Sequence, residues 1–138
     1  MKLPDVNVLL YAMNVDAPEH RRAREWLERA LSGSEAVAFA WVVLLGFVRI
    51  STRAPKPRSV AQAFDVVEEW LDRPNVEVVH PTRRHAPLLR GLIEQAGTAG
   101  NLTTDAHLAA LAIEHGATLA SFDGDLHRFA GLRLEYLR

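Results

Sequence analysis

The chain has 138 residues, a formal net charge of −1 and no cysteine. The length suits one domain, taken as residues 1–138, and 49% hydrophobic residues are enough for a single core. Disulfides and thiolate metal sites are excluded, and the near-neutral charge argues against a protein that coats nucleic acid through a large basic excess. Of the 16 basic side chains only Lys2 and Lys56 are lysines; arginine suits bidentate contact with phosphate or carboxylate. No apolar signal region follows Met1. The longest apolar run, Ala36 to Val48, falls short of the ~20 residues of a bilayer-spanning helix. The expectation is a cytoplasmic protein with no membrane partner.

Residues 1–6 read as a first strand and Val8 to Met13 as a short helix, with Asn7 as a candidate N-cap. Asp16, Pro18 and Glu19 form a helix start, with Asp16 as the cap. Ala23, Trp26, Leu27, Ala30 and Leu31 then recur with a helical period, and Gly33 closes the helix. Ala36 to Ala40 reads as a buried strand and Trp41 to about Thr52 as a buried helix. Residues 53–58 form a loop. Ser59 and Gln62 have capping-box spacing and open an amphipathic helix through Val67, Trp70 and Leu71. Val76 to His80 is a third strand. A helix lined by Leu88, Leu89, Leu92 and Ile93 stops at Gly97, and residues 97–101 form a loop. Thr103 or Thr104 caps an alanine-rich helix ending near His115, where small residues predict close packing. Thr118 to Phe122 is a fourth strand, Asp123-Gly124-Asp125 a turn, and Leu132 to Tyr136 a fifth strand after a short helix. The alternation predicts an α/β fold with a central, mostly parallel sheet of about five strands.

The aspartates are unevenly placed in this scheme. Asp5 ends the first strand, Asp105 opens the alanine-rich helix, and Asp123 and Asp125 follow the fourth strand. Ligands of parallel α/β sheets bind at the carboxyl ends of strands, so three distant segments can bring carboxylates into one cleft. Close carboxylates repel, and a hard divalent cation such as Mg²⁺ or Mn²⁺ offsets that repulsion with no cysteine required. Taken singly, Asp105 also suits a helix N-terminus, and Asp123-Gly124-Asp125 a plain turn. The six histidines form no His-Glu-x-x-His pattern and read as solvated or capping groups.

Two stretches carry a family resemblance. Leu3-Pro4-Asp5-Val6-Asn7-Val8-Leu9-Leu10-Tyr11-Ala12 resembles the opening of VapC-type PIN-domain toxins. So does Thr104-Asp105-Ala106-His107-Leu108-Ala109-Ala110-Leu111-Ala112, followed by Gly116-Ala117-Thr118-Leu119-Ala120-Ser121-Phe122-Asp123. The order of elements agrees along essentially the whole chain. The resemblance implies a PIN-like α/β/α sandwich and a Mg²⁺-dependent endoribonuclease, with Mn²⁺ as a substitute. Asp5 and Asp105 would be metal ligands, Asp123 would complete the cluster, and Ser121 and Asn7 would stand beside it, with Asp125 as an additional group. It also implies an RNA substrate, a homodimer and a VapB-type antitoxin whose tail covers the acidic cleft.

There is one departure. The family usually has a glutamate in the helix after the second strand, and Gly46 stands at that position; no acidic residue occurs between Glu35 and Asp65. One ligand is missing, which leaves the number of metals open. It also keeps a second reading in play, a PIN-fold protein that binds RNA or a partner without cutting. Arg49, Arg53, Lys56 and Arg58 are candidates for holding RNA phosphates. Receiver domains also cluster acids at strand ends, but need a late lysine that this chain lacks. Haloacid-dehalogenase phosphatases carry Asp-x-Asp after the first strand, where this chain has Asn7.

Overall fold

The computed structural model describes residues 1–53, 55–97 and 100–138. Five short strands alternate with six α-helices: β1 (Lys2–Pro4), α1 (Val6–Ala12), α2 (His20–Ser32), β2 (Val37–Phe39), α3 (Trp41–Ser51), α4 (Val60–Leu71), β3 (Val76–Val78), α5 (His85–Ala96), α6 (Thr103–Glu114), β4 (Thr118–Ser121) and β5 (Arg133–Tyr136). Short 3-10 turns cover Gly100–Leu102 and Gly124–Arg128. Ala54, Thr98 and Ala99, parts of the two loops expected over 53–58 and 97–101, lie outside the described residues.

The strands lie in the order β3-β2-β1-β4-β5, and every pairing is parallel. Helices therefore carry each crossover. The chain builds outward from β1 to β3 on one side, then crosses to β4 and β5 on the other. The strand order thus reverses between β1 and β4, which makes the crevice at their carboxyl ends the switch point where ligands of such sheets bind.

Both faces of the sheet are covered, so its central strands are apolar throughout rather than alternating: Leu3, Val37, Ala38, Phe39, Leu119 and Ala120 are all buried. Trp70 of α4 stacks on Phe39 at 5.9 Å and meets Phe47 of α3 edge-on at 4.9 Å, which locks those helices onto β2. The alanines of α6 behave as expected. Ala106, Ala109, Ala110 and Ala112 are buried, and the lack of side-chain bulk lets the helix approach closely.

Several helix starts differ from the sequence reading. Ser59 and Gln62 do form a reciprocal capping box, and Gly97 ends α5 with φ 79°. Asp16, however, caps nothing. The helix begins four residues later at His20, and Asp16 accepts an ion pair from Lys56 at 2.9 Å. Neither Thr103 nor Thr104 caps α6, which continues directly from the preceding 3-10 turn with Leu102 before it. Nor is Asn7 a cap. It lies in the first turn of α1, and Asp5 takes the capping role.

The histidines also depart from a solvated set. His85 is buried and bonds the Glu114 carboxylate through Nδ1, while its Nε2 pairs with His107 Nδ1 at 2.9 Å. Glu114 also accepts from the Thr82 N–H. Burial opposes the Glu114 charge, but these bonds from His85 and Thr82 hold its carboxyl below the ordinary value. The cluster fastens α5 to α6.

Candidate active site

Asp5 follows β1 directly. Its backbone is extended, with φ −76° and ψ 162°, and its Oδ1 accepts the Val6 N–H at 2.7 Å. This satisfies one of the free donors of the first turn of α1 and fixes where the carboxylate points. The other oxygen, Oδ2, accepts the Ser121 hydroxyl at 2.7 Å, across 116 positions of sequence. Ser121 ends β4 and is fully buried. The parallel pairing of Pro4 with Ala120 brings the two strand ends level.

Asn7 braces the same junction. Its Nδ2 donates to Ser121 Oγ at 3.0 Å and, more weakly, to Asp5 Oδ2 at 3.4 Å. Its Oδ1 accepts the Phe122 N–H at 3.1 Å. Ser121 Oγ in turn accepts the Asp123 N–H at 3.0 Å, and Asp123 Oδ1 accepts the Asp125 N–H at 2.9 Å. The turn reading of Asp123-Gly124-Asp125 therefore holds locally, but Ser121 also ties that turn to Asp5. Asp125 itself is exposed.

Asp105 completes the group from the first turn of α6. Burial raises its carboxyl above the ordinary carboxylate value, and repulsion from Asp5 and Asp123 adds to the rise. Arg128 opposes it, and Asp125 adds a smaller repulsion. Burial likewise raises Asp5, against the lowering effect of its Ser121 and Val6 hydrogen bonds, and Asp123 contributes repulsion. Asp5, Asp105 and Asp123 thus share one electrostatic neighbourhood.

Among the described residues no lysine or arginine forms an ion pair with any of the three. Nor do any three acidic or histidine side chains there close into a tight ligand cage. Hard oxygen donors suit a hard divalent cation that keeps several of its waters and takes only one or two carboxylates. On donor chemistry, the residues fit a divalent cation.

Gly46 sits on α3 against the first turn of α1. A Cβ at this position would lie 3.2 Å from Val6 Cγ2, next door to Asp5. The missing glutamate is therefore missing from the edge of this site.

Lys56 and Arg58 lie elsewhere. Lys56 is paired with Asp16, and Arg58 donates to the Met13 carbonyl at 2.9 Å. Both border a cavity of about 650 Å³ with Leu10, Tyr11, Phe47 and Ile50, near the C-terminal end of α1. Asp5 is at the other end of that seven-residue helix, ~10 Å of axis away. Arg49 and Arg53 are exposed. None of the four makes a hydrogen bond or ion pair with the acidic group among the described residues. The cation that acts on Asp105 is Arg128, in the turn that begins at Gly124. Sequence reasoning missed it, because nothing in the spacing of an exposed arginine marks it.

Comparison with known proteins agrees with this arrangement. Residues 2–132 match the PIN domain family. The chain is 47% identical over 136 residues to Ribonuclease VapC37 of Mycobacterium tuberculosis, covering 96% of this chain and 94% of that protein. It is 41% identical to Ribonuclease VapC33 of the same organism, covering 96% and 95%. Among solved structures, the VapBC2 complex of Rickettsia felis bound to a promoter DNA fragment matches with a TM-score of 0.74 at 21% identity, covering 99% and 98% of the two chains. The Mycobacterium tuberculosis VapC20 toxin, described as cleaving the sarcin-ricin loop, matches at 0.69 and 18%, covering 96% and 99%. These last two likenesses speak for the fold. With its acids at the sheet's switch point and a family match running almost end to end, the chain belongs to the PIN-domain family, in the group of the VapC ribonucleases.

Proposed function

We propose that the protein is the toxin of a type II toxin–antitoxin pair, a metal-dependent endoribonuclease that hydrolyses phosphodiester bonds of cellular RNA (tRNA, rRNA or mRNA). The observation that carries this reading is the convergence of Asp5, Asp105 and Asp123 near the switch point, with charges that raise one another's cost and, among the described residues, no lysine or arginine in an ion pair with them. Such a group is a liability to the fold unless it serves a bound cation.

Asp5, Asp105 and Asp123 are the residues that would hold Mg²⁺ or Mn²⁺, with Asp125 at the rim. Bound there, the cation supplies Lewis acidity toward a phosphodiester and a water of lowered pKa. The chain's own part is positioning. Ser121 and the Val6 N–H hold the Asp5 carboxylate and favour its charged form. Asn7 holds Ser121 and the Phe122 backbone, which ties the ends of β1 and β4 together. Arg49 and Arg53 are exposed and suit phosphate contacts along a longer RNA, whereas Lys56 and Arg58 are engaged within the fold.

RNA as substrate is supported by the similarity to proteins named ribonucleases. A VapB-type antitoxin partner is supported by the likeness to VapBC complexes. A homodimer is supported by apolar side chains left in water one helical turn apart, Trp41 and Leu45 on α3 and Val60 and Phe64 on α4. No helix among the described residues is long and apolar enough to cross a membrane.

The test is cleavage of total cellular RNA by antitoxin-free protein with Mg²⁺, with Mn²⁺ and with EDTA, beside Asp5→Ala. Discrete fragments that need metal and vanish in the variant are expected. A folded protein that binds RNA without cutting it would favour the binding-only reading that Gly46 keeps open.

A further inference from the structure

Beside the acidic cleft, β5 ends in an exposed aromatic ring. Tyr136 is the partner of Ser121 in the parallel pairing of β4 with β5, and it is 37% exposed. Burial in the core does not explain it. Its ring lies on the turn between Asp123 and Asp125. A Cβ at Gly124 would meet Tyr136 Cζ at 3.3 Å and the hydroxyl oxygen at 3.5 Å, so the absence of a side chain there gives the ring its seat.

A guanidinium and an imidazole lie against this ring. The Arg138 guanidinium carbon stands 5.1 Å from the ring centroid, and His127 packs edge-on at 5.8 Å. Arg128, on the same turn as His127, donates through its Nε to the Asp125 carbonyl at 3.0 Å and is exposed. Its charge already reaches Asp105. A partly exposed aromatic ring with an arginine over it is an arrangement that binds single-stranded nucleic acid: bases stack on such rings and phosphates meet guanidinium groups. Carboxylates alone repel a polyanion, so a cleft of acids gains from a nearby site that holds the substrate.

We infer that Tyr136, with Arg128 and Arg138, forms a base-stacking subsite for an unpaired RNA nucleotide at the rim of the acidic cleft. The inference rests on the ribonuclease reading and adds where the strand lies: next to the Asp123 turn, on the β5 side of the site. Tyr136 contributes its ring rather than its hydroxyl, and the arginines contribute charge.

The experiment uses a fluorescein-labelled single-stranded RNA oligonucleotide in EDTA, read by anisotropy, with metal-dependent cleavage of total RNA measured in parallel. Tyr136→Ala weakens binding by about 5- to 150-fold, the range for losing one stacked base, and raises KM more than it lowers kcat. Tyr136→Phe binds as wild type does. Arg128→Ala lowers the slope of log affinity against log salt by about 0.7, the single-strand value per phosphate contact. Unchanged melting temperatures for the variants separate these effects from misfolding. If Tyr136→Ala binds and cleaves like a wild type that is itself active, the subsite is refuted and the ribonuclease reading stands. If wild type neither binds nor cuts RNA, both fall. If both tyrosine variants lose binding equally, the stacking role is wrong.

Discussion

The Ser121 hydroxyl donates to Asp5 Oδ2 at 2.7 Å, joining the ends of two strands that lie 116 positions apart in sequence. The same oxygen receives the Asp123 N–H and an Asn7 amide hydrogen. One buried hydroxyl thus sets the geometry of two acidic residues. Ser121→Ala should lower kcat/KM by about 10- to 100-fold, the usual cost of losing a group that orients a ligand, with the fold retained. Because the Ser121 bond lowers the Asp5 carboxyl, its loss lets that group rise further. The acidic limb of the pH–rate profile should then move to higher pH. An unmoved profile would separate Ser121 from Asp5 function.

Asp105 gives a stability prediction with a definite sign. Burial, then repulsion from Asp5 and Asp123, raises its carboxyl above 3.8. The folded chain therefore holds that proton more tightly than the unfolded chain. The stability linked to it is fully present below 3.8 and is lost as pH rises through the folded value. In EDTA at neutral pH, Asp105→Asn should raise Tm by a few degrees, and the gain should fade toward acid. Saturating Mg²⁺ should stabilise wild type more than the variant. A variant that melts lower at neutral pH without metal would contradict the clustering of the acids.

Trp70 tests the core rather than the site. It is 5% exposed and touches both Phe39 and Phe47. Trp70→Ala should cost about 3–5 kcal/mol, seen as a lower urea midpoint at unchanged slope. A loss under about 1 kcal/mol would mean that α4 is not fastened to β2 in this way.

Gly46 sets helix propensity against contact. In a helix interior, alanine is worth ~1 kcal/mol over glycine, yet a Cβ here lies 3.2 Å from Val6 Cγ2. Val6 also donates the backbone bond that orients Asp5. Gly46→Ala should leave stability within ~1 kcal/mol of wild type while lowering kcat/KM by up to about tenfold, through the displaced first turn of α1. Denaturation and single-turnover cleavage measured on one preparation would distinguish this from a change in stability alone.

The order of strands and helices was legible because period and punctuation are local. The 3.6-residue spacing of Ala23, Trp26, Leu27 and Leu31, the Ser59–Gln62 box and Gly97 each act within a few residues, and each behaves in the fold as read. The aspartates were legible as candidates because a carboxylate next to an apolar strand needs a partner. Local signals failed where competing partners were distant. Asp16 had the right neighbours for a cap but is taken by Lys56, 40 positions away, and Asn7 is drawn off to Ser121 and Phe122. The histidines read as solvated or capping, until the packing of α5 on α6 joined His85, His107 and Glu114.

The sequence by itself determined the alternating elements, an apolar core and three acids placed near element ends, since these depend on residue type and spacing. Only the tertiary structure decided that β1 and β4 lie side by side, that Arg128 and Tyr136 border the acids, and that Lys56 and Arg58 flank the far end of α1. The reason is physical. Electrostatic and hydrogen-bonding partners are chosen by distance in space, and the order of strands in a sheet is fixed by how helices pack on both its faces.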